Sequence, residues 1–148
     1  MLSKSEASEM ILEAKAAKGM TFDEITEVTG GHPVWVAAAI MGQSSMPKEQ
    51  AQELTAFLGL GPEVASALED YPMKGALDAA VPVDPLIYRF HEITQVYGTA
   101  MKAVIHEKFG DGIMSAIDFE IDIQKKEDPK GDRVVVTYNG KFLPYKQW

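Results

Sequence analysis

Cysteine is absent from all 148 residues. That excludes disulfides, thiolate nucleophiles and zinc–thiolate sites, and it suits a reducing, cytoplasmic setting. No apolar run approaches the roughly 18 residues that a membrane span needs, and no basic segment precedes an apolar one in the manner of a secretory signal. No GxGxxG or Walker-type loop is present, so a nucleotide cofactor is not expected. Positive charge is scarce in the first half. Residues 1–80 hold five Lys, no Arg and twelve Asp or Glu, a net of −7 out of −8 for the whole chain. Acidic surfaces repel phosphate backbones, which argues against nucleic acid as a partner. An anionic substrate would feel the same repulsion, so any anion site must be positive locally. Hydrophobic content of 46% argues for a globular protein.

What is present is clear helix punctuation. Ser3-Lys-Ser-Glu6 is a capping-box pattern ahead of Met10, Ile11 and Ala14, with Gly19 as the stop. Thr21-Phe-Asp-Glu24 is a second, opening a helix through Ile25 and Val28 that ends at Gly30-Gly31. Pro33 starts a third helix that is apolar nearly all round and is expected to be buried. Pro47 opens a fourth, with Ala51, Leu54, Phe57 and Leu58 on its inner face, and Pro62 a fifth carrying Val64 and Leu68. Residues 1–70 therefore read as a helical bundle, and 71–83, with two prolines and no sustained period, as a linker.

The remainder, 84–148, reads as α then β, which makes the fold class α+β. Asp84 is placed as an N-cap with Pro85 at the first helical position, and the helix should run to about Lys108. Phe109-Gly-Asp-Gly112 breaks it. Ile117, Phe119, Ile121 and Ile123 then alternate with polar residues, predicting a strand with one dry face. Asp128-Pro-Lys-Gly131 supplies a turn and Val134 to Tyr138 a second strand. Asn139-Gly140 predicts a tight turn into Lys141-Phe-Leu143. One helix and about two antiparallel strands are too few to bury their own apolar faces. The sequence thus calls for a dimerisation domain intertwined with a partner subunit.

Three residues could carry chemistry. Arg89, the only arginine before residue 133, shares a helix face with Glu92, Ile93, Val96 and Tyr97. A guanidinium offers two parallel donors to a carboxylate-like anion and keeps its charge when desolvated. Glu92 could orient Arg89 or shuttle a proton. Ser115, just after the glycine turn, could donate to a substrate oxygen, with nearby backbone N–H groups adding to an anion-binding concavity. From spacing alone, a solvated ion pair and a turn-holding serine are the better descriptions. His32, His91 and His106 lack the i,i+4 pairing of helical metal motifs, so no metal is expected.

The stretch Asp84 to Phe119 contains YRF and Glu at Arg89 and Glu92, then QVYG, then HEKFGDGIMSAIDF. It closely resembles the signature region of cyanases (cyanate hydratases, or cyanate lyases), and the resemblance extends more weakly over nearly the whole chain. It implies a catalytic arginine, glutamate and serine, which fall by motif on Arg89, Glu92 and Ser115. It implies that cyanate joins the co-substrate bicarbonate in a dianionic adduct that loses carbon dioxide, leaving carbamate to break down to ammonia and more carbon dioxide. No metal or organic cofactor is implied. An N-terminal bundle like a helix-turn-helix domain, and a cytoplasmic homodecamer built from five intertwined dimers with shared active sites, are implied as well.

Two other readings compete. Thr21 to Gly42 has a helix-turn-helix outline, which would suit a transcriptional regulator with a C-terminal oligomerisation domain. Against it stand the local charge and a third helix with almost no side chain able to read base edges. A purely structural oligomer is the third.

Overall fold

Local capping chemistry sets the helix starts. In the computed structural model, which describes residues 2–72, 74–75 and 80–148, the Glu6 N–H donates to Ser3 Oγ and the Ser3 N–H donates to Glu6 at 2.8 Å. Thr21 and Glu24 repeat the arrangement, with the Thr21 N–H donating at 2.7 Å. Each box satisfies two of the donors that a helix start leaves unpaired. They open α1 (Lys4–Ala17) and α2 (Phe22–Thr29), which are followed by α3 (Pro33–Ile40), α4 (Lys48–Leu58) and α5 (Pro62–Glu69). Gly59 ends α4 in the left-handed region at φ 77°, a conformation that a Cβ would strain.

The chain divides into two compact units, residues 1–76 and 77–148. Every buried hydrophobic side chain among the described residues belongs to the first, centred on Ile11, Ile25, Val36, Ile40, Leu54 and Val64. Two expectations for this core need correction. Phe57 is exposed rather than inward, and Val28 is exposed too. Thr29 and Thr55 take the buried places beside them, made tolerable because their hydroxyls donate to the carbonyls of Ile25 and Ala51 one turn back. Helix α3 is apolar all round, yet it buries only Val36, Ala39 and Ile40 fully. Of the expected linker, residues 73 and 76–79 lie outside the described residues.

In the second unit Asp84 accepts from the N–H groups of Leu86 and Ile87 at 2.9 and 3.0 Å, opening α6 (Pro85–Phe109). Gly110 closes it at φ 88°. Strands β1 (Gly112–Lys126) and β2 (Arg133–Pro144) pair antiparallel. Their connection is held by the N–H groups of Lys130 and Gly131 donating to Asp128.

Two strand expectations also fail. Asn139-Gly140 makes no turn: Asn139 pairs with Glu120 and Gly140 with Phe119, inside an unbroken β2. A tight hairpin turn at this dipeptide requires positive φ, and Gly140 does not adopt it. Ile117 does not join a dry face. It is 98% exposed, because it sits where the ladder slips.

That slip lies between Met114, opposite Phe142, and Phe119, opposite Gly140. Residues 115–118 of β1 thus face Lys141 alone, a wide bulge carrying three more residues than its partner. Among the described residues of this unit only Gly112 and Ser115 are buried. Its apolar side chains are otherwise exposed or half-exposed.

Candidate active site

Arg89 and Glu92 lie one turn apart in the first half of α6, and the spacing does what it predicts. Arg89 Nη1 donates to Glu92 Oε2 at 2.6 Å. The guanidinium also lies over the Tyr88 ring, 5.4 Å from its centroid. Both partners are well exposed, 59% and 45%, so in this state the pair is solvated. Taking 100° per residue, Leu86, Phe90, Ile93, Val96, Tyr97, Ala100 and Val104 span an apolar arc about 120° wide. Arg89 falls inside that arc and Glu92 about 40° beyond its edge. All seven apolar side chains are exposed. His91 points to another face, where its Nε2 is enclosed without a hydrogen bond among the described residues.

Ser115 opens the bulge of β1 and is only 6% exposed. Its Oγ accepts from the N–H groups of Ile117 and Asp118, both at 3.0 Å. This arrangement directs both N–H groups at the serine rather than towards an anion. It also sets the polarity of the hydroxyl. With two N–H donors on the oxygen, what it has left to offer is its proton, as a donor polarised by both incoming bonds.

No hydrogen bond or ion pair among the described residues joins Ser115 to Arg89 or Glu92. The two ends of the unit meet elsewhere. His106 Nε2 donates to the Gly112 carbonyl at 3.3 Å, and Phe109 stacks on Phe142 with centroids 5.2 Å apart. Arg89 lies 17 residues before His106, about 25 Å along the helix axis. A cavity of about 310 Å³ at that junction is lined by Lys102, Ile105, His106, Ile113, Met114 and Tyr145, and by none of the three. No group of His, Asp or Glu among the described residues is arranged to hold a metal ion. No helix there is long and apolar enough to cross a membrane.

Both halves of the chain match models of a single enzyme family. Residues 4–72 match the cyanate hydratase N-terminal domain, and 79–147 the cyanate lyase C-terminal domain. The chain belongs to the cyanate lyase family. Among its relatives, a cyanate hydratase of Synechocystis is 58% identical over 138 residues, covering 93% of this chain and 92% of that protein. One from Prochlorococcus marinus is 56% identical over 147 residues, 99% and 100% of the two. The crystal structure of the cyanase from T. urticae superposes with a TM-score of 0.84 at 38% identity, covering 93% of this chain and 96% of that one. The α+β class and the order of a helical bundle before a helix and two strands thus agree with a solved member of the family.

Sequence reasoning missed the bulge. Its one signal is Gly140, which a turn motif explains away when the strands are read singly.

Proposed function

We propose that this protein decomposes cyanate with bicarbonate as co-substrate, and that Arg89, Glu92 and Ser115 carry the reaction in a site completed by neighbouring copies of the chain. The observation that carries the reading is membership of one family across both halves, with the motifs around the three residues intact. The oxygen of bicarbonate adds to the cyanate carbon to give a dianionic adduct. Loss of carbon dioxide and uptake of one proton leave carbamate, and a second proton releases ammonia and another carbon dioxide. Cyanate, bicarbonate and two protons thus balance one ammonia and two carbon dioxide molecules. The reaction calls for no redox partner.

The obstacle is bringing two anions together. Arg89 offsets their repulsion and favours the more highly charged adduct, supplying charge before the reaction rather than during it. Glu92 holds the guanidinium or handles the proton. The Ser115 hydroxyl donates to an oxygen of the bound anion. Covering the apolar arc of α6 desolvates Arg89 and strengthens its pull, while Glu92 keeps the buried charge from standing uncompensated. The exposed apolar face of the second unit supports assembly into intertwined dimers, and the family resemblance supports five of these in a decamer.

Beyond the helix-turn-helix outline of Thr21 to Gly42, nothing favours the regulator reading. Helix α3 carries no basic side chain, and the relatives are cyanate hydratases. The deciding experiment is ammonia release from cyanate by the purified protein, with and without bicarbonate and after removal of dissolved carbon dioxide. Release that requires bicarbonate is expected. None under either condition, from folded protein, rules the reading out.

A further inference from the structure

Gly140 lies in the middle of a strand, where glycine weakens packing and needs a reason. Backbone freedom is not that reason, since its φ is not positive and no turn forms there. Space is. A Cβ built on Gly140 would stand 2.6 Å from the Ser115 carbonyl oxygen and 2.5 Å from Met114 Cγ, whereas packed carbon atoms rest at about 3.5–4.0 Å. Met114 is a side chain and can swing aside. The Ser115 carbonyl is backbone, and it moves only if the bulge moves with it. The 115–118 segment therefore folds down onto β2 at the one position that has no side chain. Beside the same segment, Gly112 leaves no more room: a Cβ there would run into the Leu143 carbonyl and the Phe142 ring.

We propose that Gly140 is a positioning residue for the Ser115 hydroxyl. By letting the bulge rest on β2, it seats the turn in which Oγ accepts from Ile117 and Asp118, and so fixes where the remaining hydroxyl proton points. The inference rests on the reading that Ser115 donates to the bound anion. Misplacing such a donor by about 1 Å is enough to cost on the order of a hundredfold in rate.

The test uses the full chain as Gly140→Ala, Ser115→Ala and the double variant. Bicarbonate-dependent kcat is measured for each, together with hydrogen exchange at the Ile117 and Asp118 amides. Gly140→Ala is expected to lower kcat on the order of a hundredfold and to release protection at both amides. On the Ser115→Ala background it should change kcat by less than about twofold, because the two act through one group. If Gly140→Ala does not fold, adding Met114→Ala removes the side-chain part of the crowding, and the same measurements apply. A folded Gly140→Ala with normal kcat and protected amides overturns the proposal. So does a loss that recurs in full on the Ser115→Ala background, which would mark a general effect on the strand. A fully active Ser115→Ala instead removes the site reading beneath it. A wild-type protein that releases no ammonia removes the reaction, and the amide protection then decides alone whether Gly140 seats the turn.

Discussion

Replacing Arg89 by lysine separates the charge of this side chain from its shape. The cost to the fold should be small, because the Arg89–Glu92 contact is 59% and 45% exposed and a helical pair of that kind contributes about 0.3–0.5 kcal/mol. Lysine can still reach Glu92, so the melting temperature should move by no more than about 2 °C. Activity should respond differently. A lysine ammonium is a point charge that cannot present two parallel N–H donors to a planar anion. A hydrogen bond to a charged group is worth about 1.5–3 kcal/mol. At about 1.4 kcal/mol per decade, losing one from the transition state lowers kcat/KM by about 10- to 150-fold. A site that draws an arginine from each of two subunits would lose more, so the estimate is a lower bound. The assay is bicarbonate-dependent ammonia release, run beside sedimentation to confirm that the particle is unchanged. Near-normal turnover from Arg89→Lys of native size would refute the clamp, whatever the fate of the remaining assignments.

Glu92→Gln keeps an acceptor for Arg89 but cannot carry a proton. Pure orientation predicts a loss within about tenfold, and proton transfer a loss of about 10²–10⁴, read from kcat across pH. Ile93→Lys places a charge in the apolar arc of α6 and should yield smaller, inactive particles by sedimentation, whereas unchanged size and activity would remove the arc from the assembly surface. The carboxyl groups of Glu6 and Glu24 are held below the ordinary 4.5 by the N–H and hydroxyl groups of Ser3 and Thr21. Their ionised forms therefore favour the folded state above that pH, and this contribution fades as pH falls through the lowered values. Thermal melting between neutral and acid pH should show a shallower acid limb in Glu6→Gln and Glu24→Gln; limbs parallel to wild type would contradict it.

Where the sequence read well, the determinants were local. Ser3, Thr21 and Asp84 each lie within three residues of the groups they cap, so a helix start is written in one short window. The Arg89–Glu92 contact was legible for the same reason. Facing was harder. Period alone could not tell Phe57 from Thr55, because a threonine that returns its hydroxyl to the preceding turn is cheap to bury. The bulge at Ser115 was invisible: three extra residues on one strand can be seen only once the partner strand and its register are known. Asn139-Gly140 misled because two causes select glycine, positive φ and want of room, and a single strand does not distinguish them. The site residues themselves were read through the family motif rather than through geometry, and Arg89 and Ser115 sit in separate parts of the unit.

That separation has a physical use under the proposed function. A chain with net charge −8 must collect two anions without an excess of positive side chains to attract them. An exposed guanidinium does little for this, since two unit charges 4 Å apart in water interact by only about 1 kcal/mol. The same charge near a protein surface of effective dielectric about 20 is worth about 4 kcal/mol. Covering the apolar arc of α6 makes that change at Arg89 without adding a charge anywhere. If the proposed assembly forms, the apolar surface that drives it is also the surface that raises the local field, and the isolated chain lacks a covered arginine. Assembly and anion capture then become one event, and an acidic protein can hold a site for anions that its net charge would otherwise repel.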